Sequence, residues 1–136
     1  MYAYKNFSKE KENSLLVVDD FQAQLKEPAI VKVLQKIITK MRHSRCPIFL
    51  LQQNFQALQK PLRELVSNLV IFNVGKSQLS KIFEEIVQME KEKYEKLIKI
   101  SFVEPHDWLL INFHRSKKIY RMFDEIVFDE EKENNI

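Results

Sequence analysis

The chain has 136 residues, 45% hydrophobic and 30% charged with a net charge of +3, which is the length and balance of one folded domain rather than a disordered segment. One glycine and one cysteine exclude a complete G-x-x-x-x-G-K-[ST] phosphate loop, a complete G-x-G-x-x-G dinucleotide turn, an internal disulfide framework and a multi-cysteine metal cage. No apolar run approaches the roughly 20 residues that span a bilayer, and the first residues lack the apolar core of a signal peptide, so the sequence predicts a soluble intracellular protein.

Residues 1–13 are polar and charge-mixed and predict a flexible lead-in. Leu15–Val18 is a short continuous apolar run ending at Asp19-Asp20, the pattern of a strand buried on both faces of a parallel sheet. A helix follows over 28–42, because Ile30, Val33, Leu34, Ile37, Ile38 and Met41 form one apolar stripe. Pro28 suits its first turn, where a missing N–H costs nothing. Two further apolar runs, Ile48–Leu51 ending at Gln52-Gln53 and Leu69–Phe72 ending at Asn73, are joined through a short helix starting near Pro61. Strand, helix, strand, connection, strand is the order of a parallel sheet built by right-handed crossovers. Helices are predicted near 77–88 and 90–101. The runs Trp108–Phe113 and Lys118–Phe123 predict a hairpin, and the acidic end after Phe128 a tail.

Charge is unevenly spread. From Lys26 to Arg63 eight lysines and arginines face one acid, Glu27, whereas six acids follow from Asp124 onward. The basic stripe Lys32, Lys36, Lys40 and the group His114, Arg115, Lys117, Lys118, Arg121 are candidate contacts for nucleic-acid phosphate, which position without reading sequence. Taken alone, each set reads first as a solvated face. His43, His106, His114 and Cys46 lack the spacing of a metal site, and Cys46 before an apolar run reads as a core residue.

Ligands of open α/β sheets sit outside the carboxyl ends of the strands, and here those ends are Asp19-Asp20, Gln52-Gln53 and Asn73. A carboxylate in that place can serve Mg²⁺ beside a phosphate, a second can orient or deprotonate water, and a glutamine on the next strand can hydrogen-bond that water. The set LLVVDD (15–20), Arg42-His43, IFLLQQ (48–53), then Phe55, Leu58 and Arg63 at fixed distances from Gln53, resembles the FtsK–HerA superfamily of ring-forming DNA-pumping ATPases. Within it the chain is most similar to the poxvirus-type genome-packaging ATPases of nucleocytoplasmic large DNA viruses, over roughly residues 14–127.

This resemblance implies an α/β fold: a partial P-loop NTPase core of the RecA/FtsK type, with a mostly parallel sheet flanked by helices and a C-terminal β-hairpin. It implies Asp19 as the Walker B aspartate serving Mg²⁺ through water, Asp20 as the catalytic acid, Gln53 as the sensor glutamine, and Arg42 as the arginine offered to a neighbouring subunit's nucleotide. Arg63 is a second candidate for that last role. It also implies ATP and Mg²⁺ as cofactors, double-stranded DNA as partner, a homo-oligomeric ring, and a place in the viral factory of the host cytoplasm or in the virion. Asp20 is shorter than the glutamate common in the superfamily.

The family's Walker A loop has no counterpart here. Gly75-Lys76-Ser77 follows an apolar run, but a phosphate loop requires glycine at position 70, where Val70 stands. The segment reads as a turn into a helix with Ser77 as a candidate N-cap. The sequence therefore predicts a C-terminal portion of a packaging ATPase whose site is completed by a polypeptide carrying Walker A. The alternative is a catalytically inactive paralogue acting as a DNA-binding or ring-scaffold protein. Without the Walker A strand beside it, Leu15–Val18 becomes an unpaired apolar edge that invites association.

Overall fold

Along the chain the apolar runs become strands and the apolar stripes helices, in two compact units with the chain dividing between Leu65 and Val66. The structure, a computed structural model, describes residues 14–128. The expected lead-in over 1–13 and the tail after Phe128 lie outside the described residues.

In the first unit, β1 (Leu16–Asp19) pairs in parallel with β2 (Ile48–Leu51), Leu16 opposite Ile48 and Asp19 opposite Leu51. The crossover between them is α1 (Pro28–Ser44), entered through a 3-10 turn at Gln24–Lys26 and opened by Pro28 in its first turn. It ends at Arg45, whose left-handed φ of 51 cannot continue the helix. α1 forms its core by burying Val31 and Leu34 with Leu25, Leu58 and Leu62, against which Phe21, Ile30, Ile38 and Leu50 pack; Val33 of the expected stripe is instead 55% exposed, and Val31 takes its place in the core. Full burial of a leucine contributes about 2 kcal/mol, so Leu25 and Leu62, both almost fully enclosed, anchor the strand-following loops to α1. Beyond β2, Asn54 Oδ1 accepts from the Gln56 amide at 2.9 Å and starts a 3-10 turn (Phe55–Ala57). The short helix α2 (Lys60–Arg63), with Pro61 in its first turn, follows.

The second unit is a four-stranded antiparallel sheet in the order β3 (Asn68–Phe72), β4 (Trp108–Asn112), β5 (Lys118–Arg121), β6 (Asp124–Ile126). The α/β class and the C-terminal hairpin stand, but the expected mostly parallel sheet does not. Among the described residues only β1–β2 is parallel, and the Leu69–Phe72 run pairs antiparallel with β4. An apolar run does not encode the direction of its neighbour, which explains the difference. β6 was hidden by its acids: as an edge strand it tolerates Asp124 and Glu125, and Glu125 forms an ion pair of 3.0 Å with Lys118.

Between β3 and β4 run α3 (Lys76–Ile82), a π-turn (Phe83–Val87) and α4 (Lys91–Ser101). The predicted 77–88 helix thus changes pitch midway and ends at Gln88, φ 52. Gly75, not Ser77, occupies the N-cap of α3, and Ser77 lies one residue inside it. Phe83 stacks on Tyr94 at 5.5 Å, while Ile71, Leu109, Ile111 and Ile119 are the buried residues of the sheet. The turn into β4 is held by Asp107, whose Oδ2 accepts from the amides of Val103 and Glu104 and from Arg121 Nη2 at 2.8–2.9 Å.

Candidate functional site at the strand ends

Asp19 is the last residue of β1 and is exposed; Asp20, also exposed, follows at φ 48. Aspartate is among the few non-glycine residues that tolerate this left-handed region. The Asp20 amide donates to the Leu51 carbonyl at 3.3 Å. That bond closes the ladder and sets Asp19-Asp20 beside Gln52-Gln53, the residues that leave β2. The two acids and two glutamines singled out at the strand ends are therefore brought to one end of one hydrogen-bonded pair.

The two glutamines differ. Strand alternation puts Gln53 in solvent with Phe49 and Leu51, and Gln52 in phase with the half-buried Ile48 and Leu50. Both polar atoms of the Gln52 side chain are sealed from water, and neither has a hydrogen-bond partner among the described residues. The resemblance assigns a role to Gln53 alone, although the period of two already places residues 48, 50 and 52 on one face.

Arg63 is half-buried and held locally. Its Nε donates to the Leu58 carbonyl at 2.7 Å, and its guanidinium lies over the Phe55 ring, 4.8 Å from the centroid. It ties the turn after β2 to α2. Arg42 falls in the last part of α1, and its side chain lies outside the described residues.

No group of three or more His, Cys, Asp or Glu side chains capable of holding a metal occurs among the described residues. Two neighbouring carboxylates nonetheless suit Mg²⁺, which takes one or two protein carboxylates and fills its octahedron with water and phosphate oxygens.

The Gly75-Lys76-Ser77 segment belongs to the second unit. Gly75 has an ordinary negative φ, and a side chain there would meet nothing within 4 Å. Nothing about its backbone requires glycine, in keeping with a turn rather than a phosphate cradle.

Among the basic residues, Lys32, Lys36 and Lys40 are exposed on α1. In the second group, Lys117 Nζ donates to the Val87 carbonyl at the end of the π-turn, Lys118 pairs with Glu125, and Arg121 with Asp107. Arg115 is exposed at φ 63.

The family model described as Poxvirus A32 protein matches residues 1–134. The chain belongs to this family. Poxvirus A32 proteins are a family of viral genome-packaging ATPases, and the resemblance drawn from the strand-end residues agrees with that membership. The activity of the A32 family points to ATP and Mg²⁺ as ligands and to DNA as the material handled. No curated protein and no solved structure matches the chain. No helix among the described residues is long and apolar enough to cross a membrane.

Proposed function

We propose that this chain is the portion of a viral DNA-packaging ATPase that brings the Walker B acid, the second carboxylate and the strand-tip glutamines to an ATP site, the phosphate loop coming from outside these 136 residues. The observation that carries the reading is the placement of Asp19-Asp20 and Gln52-Gln53 side by side at the carboxyl end of the parallel pair β1–β2. Asp19 holds a water of the Mg²⁺ shell; Asp20 orients the attacking water or takes its proton; Gln53 hydrogen-bonds that water from the next strand. When bound, Mg²⁺ neutralises charge on the phosphate oxygens. Arg42, with Arg63 as the second candidate, serves the nucleotide of the adjacent subunit in a homo-oligomeric ring, where an arginine stabilises charge on the transferred phosphoryl group.

The exposed lysines 32, 36 and 40 on α1, with Arg115, Lys117 and Lys118, contact DNA phosphate without reading sequence. The place of action is the viral factory or the virion.

The chain's only glycine, Gly75, cannot form a nest of backbone amides for the β- and γ-phosphates. Titration of the chain with Mg-ATP in a calorimeter is therefore expected to show no micromolar binding. Micromolar binding that is abolished by Asp19→Ala would overturn the claim that the cradle comes from elsewhere.

A further inference from the structure

We propose that the acidic segment 129–133 binds the tip of the β4–β5 hairpin of its own chain, occupies the cations read above as contacts for DNA phosphate, and competes with the nucleic acid for them. The inference rests on that reading of the hairpin and adds a competitor carried by the same chain.

Strand register brings the two together. β6 runs antiparallel to β5, with Arg121 opposite Asp124, Tyr120 opposite Glu125 and Ile119 opposite Ile126. It therefore starts where β5 ends and finishes where β5 begins, and β5 begins at the turn that carries His114, Arg115 and Lys117. Counted onward in the same register, Phe128 falls level with Lys117, so the chain passes into residue 129 beside the hairpin tip. An extended residue spans about 3.3 Å, which gives the segment 129–133 a reach of roughly 16 Å, enough to cross the turn.

Charge makes the match. The segment carries Asp129, Glu130, Glu131 and Glu133 against Lys132, while His114, Arg115 and Lys117 at the tip are exposed. Lys117 Nζ donates to the Val87 carbonyl, a neutral partner that leaves its charge uncompensated. Arg115 has no acidic partner among the described residues. Lys118 is already matched, by Glu125 of β6 at 3.0 Å. The strand that leads into the acidic segment thus already sets one acid against the hairpin, and the acids after Phe128 continue that match toward the tip. Each exposed ion pair is weak, but a short tether holds the segment at a millimolar effective concentration. A polyanion so placed competes with a sequence-independent phosphate contact, and both weaken as salt rises. The α1 lysines 32, 36 and 40 belong to the first unit, and no strand register leads the segment to them.

The test compares the full chain with a variant in which Asp129→Asn, Glu130→Gln, Glu131→Gln and Glu133→Gln remove the acids without shortening it. In the absence of DNA, the NMR amide signals of residues 114–118 and the Arg115 Nε signal are expected to differ between the two, equally so after tenfold dilution, while Lys32, Lys36 and Lys40 keep theirs. With a short fluorescein-labelled duplex DNA at about 50 mM salt, anisotropy is expected to show about threefold tighter binding by the neutralised variant, an advantage that fades toward about 0.5 M salt. Losing four negative charges raises affinity for any polyanion, so the comparison is repeated in Arg115→Asn, which accepts the left-handed turn. There the gain is expected to fall by half or more. Unmoved hairpin signals, shifts confined to the α1 lysines, or shifts lost on dilution, which mark a second copy as the acceptor, overturn the proposal. An equal gain with and without Arg115 overturns the competition. Shifted hairpin signals with DNA binding indifferent to Arg115 keep the contact and count against the hairpin as a DNA site. DNA binding that needs Arg115 but ignores the acids, with hairpin signals unmoved, does the reverse.

Discussion

The amide of Asp20 donates to the carbonyl of Leu51 across 3.3 Å, and with Asp20 at φ 48 the chain turns out of β1 at that bond. This contact holds the acid pair level with the glutamine pair, and it depends on a residue that accepts the left-handed region. Asp20→Val is expected to cost about 1–2 kcal/mol, because a branched side chain there crowds the following carbonyl. Asp20→Gly and Asp20→Asn should stay within about 0.5 kcal/mol of the parent. Urea unfolding of the three variants checks this, and an unchanged midpoint for Asp20→Val contradicts the placement.

Arg63 has a structural duty whatever else it does. Lysine can neither donate from Nε in a fixed plane to Leu58 nor stack a flat cation on Phe55. Arg63→Lys is expected to lower stability by about 1 kcal/mol. Phe55→Leu should produce part of the same loss, and the double variant less than the sum, since the two residues share one contact. Strict additivity in a denaturation cycle contradicts a direct Arg63–Phe55 interaction.

Acid should loosen the second unit at Asp107. The Glu104 amide first, then the Arg121 guanidinium, hold its carboxyl below the usual aspartate range. A carboxylate with a lowered folded value adds stability that is complete above the ordinary pKa of about 3.9 and is lost as pH falls through the folded value. Melting temperature followed from pH 7 down to pH 2 should fall more steeply for the parent than for Asp107→Asn, which starts lower and varies less. Parallel curves contradict the assignment.

The β1–β2 pair leaves apolar surface uncovered. Val17 and Phe49 face each other in register, 49% and 57% exposed, enough to predict self-association at micromolar concentration. Val17→Thr with Phe49→Thr should shift light scattering toward monomer with little change in the unfolding midpoint. A parent chain that is cleanly monomeric at that concentration contradicts the prediction.

The strand ends were legible because each combines an apolar run with an abrupt change to Asp-Asp or Gln-Gln, a composition step that needs no knowledge of neighbours. The helix expected over 28–42 was equally plain from its stripe and Pro28, and it runs two residues further, to Ser44. Strand direction was not: Leu69–Phe72 reads the same whether its neighbour is parallel or antiparallel, and only the hairpin partner Trp108–Asn112 settles it. β6 was concealed because edge strands carry the charges that mark a tail. Gln52 was not told apart from Gln53 because two identical residues at a strand end look interchangeable until alternation gives one an enclosed environment and the other solvent. The pinning of Arg63 by Phe55 and Leu58 needed coordinates, since the family resemblance made the same arginine only a second candidate for a role in trans.

The most direct test of the central claim is to locate a metal–nucleotide on the chain. Mn²⁺ with a slowly hydrolysed ATP analogue, at millimolar concentration, broadens NMR signals near the bound ion even when binding is weak. The account predicts broadening centred on the amides of Asp19, Asp20 and Gln53 that requires the nucleotide and disappears in Asp19→Asn. Broadening centred on Gly75–Ser77, or unchanged in Asp19→Asn, contradicts it.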